Sequence, residues 1–336
     1  NVLITEGADP HVSMCEIHSS DDAGVLVHQD GQGTLVRNNV YNNRTYGAVV
    51  LTGGKSLFLR NWLHGRRQGG VLVDEGGACE IAHNNIEGNS KAGVTLRGAC
   101  SPHVHHNTIA NGRDSGVHAL EGGGGTIEHN EIYGNERAGV GVETGAAPLI
   151  RKNLIYNGLE AGVFFFDGGM GTLEDNDVWG NQDAGVQIIE ASDPLVTRNR
   201  LQKQALPDGD KPHVPLGERA PPPGTSKQPK SKDCRHKEVA PLWIHSGDFG
   251  SIQDNVITDS DWHGVAIGSQ ASPTLQANKI FSNRKAGVFM QDGATPTLIE
   301  NDIAKNWVGV EVIEHAAPIL RGNIIHHSRV GGLWVY

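Results

Sequence analysis

Four groups of side chains have types and spacings that could do chemistry. Glu174, Asp175 and Asp177 place three carboxylates around Asn176, and such a cluster can supply a general acid and a general base. Lys152 and Arg198 stand 23 residues to either side of Asp175, so the same cluster also reads as ordinary cross-strand charge pairing. His83, His106 and His129 recur at the same interval of 23. Three imidazoles in line could share a metal ion, but Arg37 and Arg60 precede them in that column and Lys152 follows, which marks a basic outer stripe. Tyr133, Tyr156 and Trp179 form a third column, and Phe164 and Phe166 flank Phe165; exposed aromatics of this kind suit a protein interface or a sugar platform, and the three in the column equally suit a surface ladder whose rings shield one another and only stabilise the stack. The fourth group, Asp9-Pro10-His11, sets an acid and an imidazole around a proline, and Asp193-Pro194 repeats its first half as a corner would. In none of the four do acid, base and cation converge. The expectation is therefore no catalytic residue, no metal site and no cofactor.

A repeat of 23 residues must position these columns. An asparagine stands two residues before an aliphatic at Asn38, Asn61, Asn84, Asn107, Asn130, Asn153, Asn176 and Asn199, always 23 apart. It resumes at Asn255, Asn278 and Asn301, then at Asn323 after a one-residue deletion, and Cys15 holds the same place in the first turn. Nine residues after the asparagine comes a glycine, as at Gly24, Gly47, Gly70, Gly93, Gly116 and Gly139, followed by apolar residues in alternation such as Val71/Val73 and Val94/Leu96. Alternation is the mark of a strand with one face inward. A helical solenoid needs apolar spacings of three and four over longer runs and tolerates a glycine per unit poorly.

Each unit is thus two or three short strands between sharp corners. The fold expected is all-β: a single-stranded right-handed parallel β-helix solenoid of about 13 turns. At a rise of ~4.8 Å per turn the stack is about 60 Å long. The asparagine column predicts a ladder of amide-to-amide hydrogen bonds at an inner corner, as in stacked cross-β arrays. The glycine column predicts a corner where a side chain would clash or where φ is positive. A second period overlies the first: turns entered by Gly-x-Gly-Thr, as at Gly123–Thr126 and Gly169–Thr172, alternate with turns entered by Pro102, Pro148 and Pro194.

One break interrupts the register. Asn199 and Asn255 lie 56 residues apart, one turn plus 33. This divides the chain into β-helix turns over 1–201, an inserted Pro/Lys-rich loop over 202–241, and the remaining turns of the same domain over 242–336, with Leu242 and Ile244 back in the apolar columns. The insert carries Pro221-Pro222-Pro223-Gly224, the composition of a polar excursion from the stack.

Composition excludes several classes. With 28 Lys+Arg against 38 Asp+Glu the net charge is −10, which argues against a nucleic-acid groove. No run of about 18 apolar residues marks a membrane-spanning helix. The four cysteines, Cys15, Cys79, Cys100 and Cys234, form no C-x-x-C pair, so neither a zinc knuckle nor a disulfide framework is expected. Together with the lack of a secretion signal at Asn1-Val2-Leu3-Ile4, this leads us to expect an intracellular, cytoplasmic protein.

The alternating units, best seen from Gly168-Gly169-Met170-Gly171-Thr172-Leu173-Glu174-Asp175-Asn176 through Asp193-Pro194-Leu195-Val196-Thr197-Arg198-Asn199, resemble the CASH-type right-handed β-helix repeats of the β-helix F-box proteins. That resemblance implies a non-enzymatic protein-interaction module, the substrate-recognition part of a ubiquitin ligase adaptor, bound to protein partners within a larger complex. Contact would then centre on Tyr133, Tyr156, Trp179, Phe164 and Phe166. Two alternatives come from the wider use of the repeat. One is a structural scaffold in a cytoskeletal or ciliary assembly; the other is a carbohydrate-active lyase, hydrolase or epimerase. For the latter, Asp9-Pro10-His11 is similar to part of the Asp-Pro-His-Asp motif of alginate epimerases, with Val12 in its fourth place. Enzymes of that kind resemble one another in setting acids, a base and a cation on one outer face of neighbouring turns.

Overall fold

The computed structural model describes residues 1–65, 67–202, 239–245 and 248–336. Most of the expected insert, 203–238, lies outside the described residues. Every turn contributes one short strand to each of three parallel sheets, of 14, 13 and 13 strands. The turn around Asn84 illustrates the plan: Val71 and Val73 lie in the first sheet, Ile81 in the second and Ile86 in the third, all at most 1% exposed. Equivalent residues pair directly, Val71 with Val94, Ile81 with Val104 and Ile86 with Ile109. The stack runs on across the insert, with Val186 pairing Leu242 and Ile188 pairing Ile244. The expected β-helix and its register are those observed.

The asparagine ladder explains why one polar residue is kept in every turn. Asn130 is 1% exposed. Its Oδ1 accepts from the Asn107 backbone N–H at 2.9 Å and from Asn107 Nδ2 at 3.0 Å. Its own Nδ2 donates to the Val104 carbonyl at 2.9 Å and to Asn153 Oδ1 at 3.0 Å. Each amide is therefore satisfied on both sides, which is the condition for burying a polar side chain without penalty. A second, sparser ladder uses the two-turn period: Asn135 Oδ1 accepts from Gly112 N–H, and Asn181 Oδ1 from Gly158 N–H, each at 3.0 Å.

The glycine column works by close approach rather than by backbone handedness. A Cβ on Gly93 would lie 2.6 Å from Ile109 Cγ2 and 2.7 Å from the Gly116 carbonyl oxygen of the next turn. The left-handed conformation falls instead on the residue just before the ladder asparagine: His83, His106, His129, Lys152 and Asp175 have φ between 53° and 56°. The basic outer stripe thus turns the corner between the second and third sheets.

Candidate functional site

The outer face of the first sheet carries a column that reads Leu72, Thr95, His118, Gly141, Phe164, Gln187, Trp243, Ala266 and Phe289 in register. Around its first part lies a cleft of about 380 Å³. Tyr46, Lys91, Thr95, Arg97, Asp114 and His118 are among the residues that line it.

Each of these side chains is held by a local feature of the turns. Tyr46 opens the strand Tyr46–Val50, and its ring occupies the space a side chain would take on Gly69, where a Cβ would meet Tyr46 Cε1 at 2.4 Å. Lys91 sits in the corner before the strand Val94–Arg97. Its ammonium lies 4.7 Å from the centre of the Tyr46 ring, a cation–π contact, and no ion pair to it is found among the described residues. Arg97 donates from Nε to Asp74 Oδ2 at 2.8 Å, and Asp74 is buried at 4% exposure. That hydrogen bond holds the Arg97 guanidinium above its usual pKa, so its charge is permanent but largely answered. On the next strand His118 Nε2 lies 2.9 Å from Glu143 Oε1. That carboxylate stands beside Nε2, and Nδ1 is the ring nitrogen away from it. Gly141, directly above His118 in the column, leaves the imidazole uncovered by a side chain of its own. The cleft therefore assembles a hydroxyl, an unanswered cation and a base steadied by a carboxylate.

The groups singled out in the sequence lie elsewhere. Arg198 bonds Asp175 Oδ1 at 3.0 Å and Glu174 Oε2 at 2.7 Å, an exposed ion-pair network of small energetic value. The stacked imidazoles of His83, His106 and His129 have ring centres 5.0 and 5.1 Å apart. Among the described residues no three His, Cys, Asp or Glu side chains are placed to hold a metal ion. Asp9 and His11 are exposed, and the Pro10 carbonyl takes the Thr34 N–H at 2.9 Å, as the Pro194 carbonyl takes that of Ser251. That is the corner role.

The aromatic column is corrected in its exposure. Tyr133, Tyr156 and Trp179 stack with ring centres 5.1 and 4.6 Å apart, but Tyr156 is only 6% exposed. Its hydroxyl donates to Glu131 at 2.6 Å, and burial first, then that bond, raises its pKa. Its faces are covered by its neighbours, so the column seals the third sheet instead of presenting three free rings. Phe164 and Phe166 stack at 4.6 Å, and Phe164 belongs to the face that carries the cleft.

His263 shows how a buried imidazole is used structurally along this face. It is 5% exposed, its Nδ1 accepts the Ala286 N–H at 3.0 Å, and its ring stacks on Phe289 at 4.3 Å. Burial first, with a smaller push from Lys285, holds its pKa down to about 3. The unfolded chain binds a proton at the ordinary value of 6.5, where the native state does not. Stability is thus full above pH 6.5 and is lost as pH falls from 6.5 towards 3. By pH 5 the loss amounts to about 2 kcal/mol. Urea unfolding at pH 7 and pH 5 checks it: His263→Gln should remove most of the difference, and an unchanged difference would assign it to other groups.

The chain matches the right handed beta helix region over residues 1–85, 63–201 and 240–336 and belongs to that family. No curated protein matches its sequence. Among solved structures it is similar to the periplasmic alginate epimerase AlgG, with a TM-score of 0.60 at 11% identity, covering 89% of this chain and 78% of that one. A single-site variant of the same epimerase gives a TM-score of 0.64 at 12% identity, over 89% and 76%. At such identity the likeness is one of fold. It nonetheless corrects the expected non-enzymatic adaptor. These similar solved structures are of an enzyme named for a polysaccharide, alginate, and the cleft has Tyr46, Lys91 and His118 in one lining. The F-box resemblance holds only as far as the shared β-helix repeat.

Sequence reasoning missed the cleft because it followed the column three residues after the asparagine. The signal lay in the outward residue between two inward ones of the first sheet. The succession of His118, Gly141, Phe164, Gln187 and Trp243 there is unlike the charged residues of a merely solvated face.

Proposed function

We propose that this β-helix is an enzyme acting on a uronate-containing polysaccharide by abstracting the proton α to the sugar carboxylate, the first step of both epimerisation and β-elimination. One observation carries the reading: Lys91, a cation without an ion pair among the described residues, shares a cleft with His118, whose Nε2 faces Glu143. The known epimerases of this fold add support to the substrate class. A carbohydrate chain thus replaces the protein partner expected from the sequence.

The roles follow from the chemistry. Lys91, with Arg97 behind it, meets the substrate carboxylate and stabilises the second negative charge that develops as the C5 proton leaves. His118 Nδ1 takes that proton, and Glu143 stabilises the imidazolium through Nε2. The C5–H electron pair passes into the carboxylate as an enolate. Tyr46 then donates its hydroxyl proton, either to C5 from the other side or to the C4 oxygen as the C4–O bond breaks. The first ending inverts C5, and the second cleaves the chain.

Exchange in deuterated water tests the common step. Incubation of the protein with polymannuronate or polygalacturonate in that solvent should remove C5 protons, read by proton NMR: solvent deuterium takes their place where C5 is reprotonated, and a C4=C5 double bond without a C5 hydrogen appears where the chain is cleaved. Retention of every C5 proton across both polymers would remove the proposal.

A further inference from the structure

We infer that a notch over Ala266, walled by Trp243 on one side and Phe289 on the other, is a subsite for a pyranose ring of the same polysaccharide, remote from the reacting sugar. The inference rests on the reading of the cleft as a uronate site. Its own observations are separate.

Trp243, Ala266 and Phe289 are consecutive in the outward column of the first sheet, each paired in register with the next. A small residue between two large aromatics leaves a gap one strand deep. Trp262 closes its flank, with its ring 6.2 Å from that of Phe289. The gap has a volume of about 130 Å³, and His245, Ser269 and Gln291 stand at its margin. The rings are held apart from below, since Phe289 is stacked on the buried His263 ring at 4.3 Å. Trp243 is 39% exposed, so an apolar surface of defined shape stays open to solvent.

The chemistry of this gap fits a sugar ring. The C–H faces of a pyranose pack against aromatic faces, while its equatorial hydroxyls reach polar groups at the margin. Among the described residues no Lys or Arg lines the notch, a lining that takes the ring and hydroxyls of a sugar unit rather than its carboxylate. A protein partner is a poor occupant, because a stable interface covers about 800 Å² per side and this opening is one strand wide.

Position ties the notch to the cleft. The strand of Ala266 lies five steps along the first sheet from that of His118, about 24 Å at ~4.8 Å per step. Phe164 and Gln187 continue the same outward column between them. A sugar chain laid along the solenoid axis therefore runs from one to the other, and only a long oligomer reaches both. Binding at the notch would add to affinity by tethering the chain already held at the cleft.

The experiment compares a mannuronate trimer, too short to span, with an oligomer of about ten units, in titrations of the whole protein followed by tryptophan fluorescence and by C5 exchange. Two variants are used: Ala266→Leu, which fills the notch from an outward position, and Trp243→Ser, which removes one wall at an exposed site. The expected result is that both variants weaken the long oligomer about tenfold and leave the trimer unchanged. Equal behaviour of wild type and both variants towards the long oligomer, or a loss of the same factor on the trimer, overturns the subsite. The two readings fail separately. Length-dependent binding lost in the variants with every C5 proton retained in all proteins would keep the subsite and remove the enzyme. C5 exchange without a length effect would do the reverse.

Discussion

Lys91→Ala should lower kcat/KM for C5 exchange by about a thousandfold while shifting stability by less than about 0.5 kcal/mol. The two effects separate because of where the ammonium sits. Lys91 is exposed, it packs on the Tyr46 ring and it has no ion pair among the described residues. Removing it therefore leaves no buried charge stranded. The intermediate is another matter. Proton loss at C5 places a second negative charge on a group that already carries one, and a single preorganised donor at such a centre is worth about two to three orders of magnitude. His118→Ala should cost about as much, chiefly in kcat, since a positioned base contributes two to four orders of magnitude. Glu143→Gln acts through His118 and should show a smaller loss than His118→Ala, because the imidazolium formed on proton transfer loses the carboxylate that faces it. Lys91→Arg keeps the charge and should recover much of the rate. If Lys91→Ala and His118→Ala both exchange C5 protons at the wild-type rate, the cleft is not where the chemistry happens.

The fold was written openly in the sequence and the site was not, for one physical reason. A solenoid repeats the same environment every turn, so each environment selects the same residue again. Asn38 through Asn323 and Gly24 through Gly332 record an inner corner and a close approach repeated along the whole stack. A catalytic cleft is the opposite case, because it exists where neighbouring turns differ. Lys91, Arg97, His118 and Glu143 come from three successive turns and three columns, with Arg97 and Glu143 in one column two turns apart. Two of the pairs were visible at near-repeat spacing: Asp74 and Arg97 are 23 apart, and His118 and Glu143 are 25 apart. Spacing alone did not say which face they share. The column of Tyr133, Tyr156 and Trp179 left two readings open in the sequence for a related reason. Its outward register is real, but stacking at 4.6–5.1 Å lets aromatic neighbours bury one another, which no count of alternating positions reveals. The close contact at the glycine column, by contrast, has consequences that can be calculated.

Gly70→Ala should be the most damaging single methyl addition in the stack, at about 4 kcal/mol. A Cβ built on Gly70 would lie 2.1 Å from the Gly93 carbonyl oxygen and 2.6 Å from Ile86 Cγ2. The oxygen belongs to the backbone of the next turn, and that turn cannot retreat alone. The Val94 N–H donates to the Gly116 carbonyl at 3.0 Å, and the Val71 N–H to the Gly93 carbonyl at 2.9 Å. Pushing one carbonyl away therefore disturbs ladder bonds both at that turn and above it, in an interior with no void to absorb the shift. The comparison that isolates the cause is Gly76→Ala. Gly76 has φ of +78° but nothing within 4 Å of the added carbon, so it should cost about 1 kcal/mol, the strain of a left-handed alanine alone. Urea unfolding of the two variants gives the ratio directly. A similar, small loss in both would mean that the turns move apart freely at the corner, and that the glycine column is kept for its backbone and not for the contact.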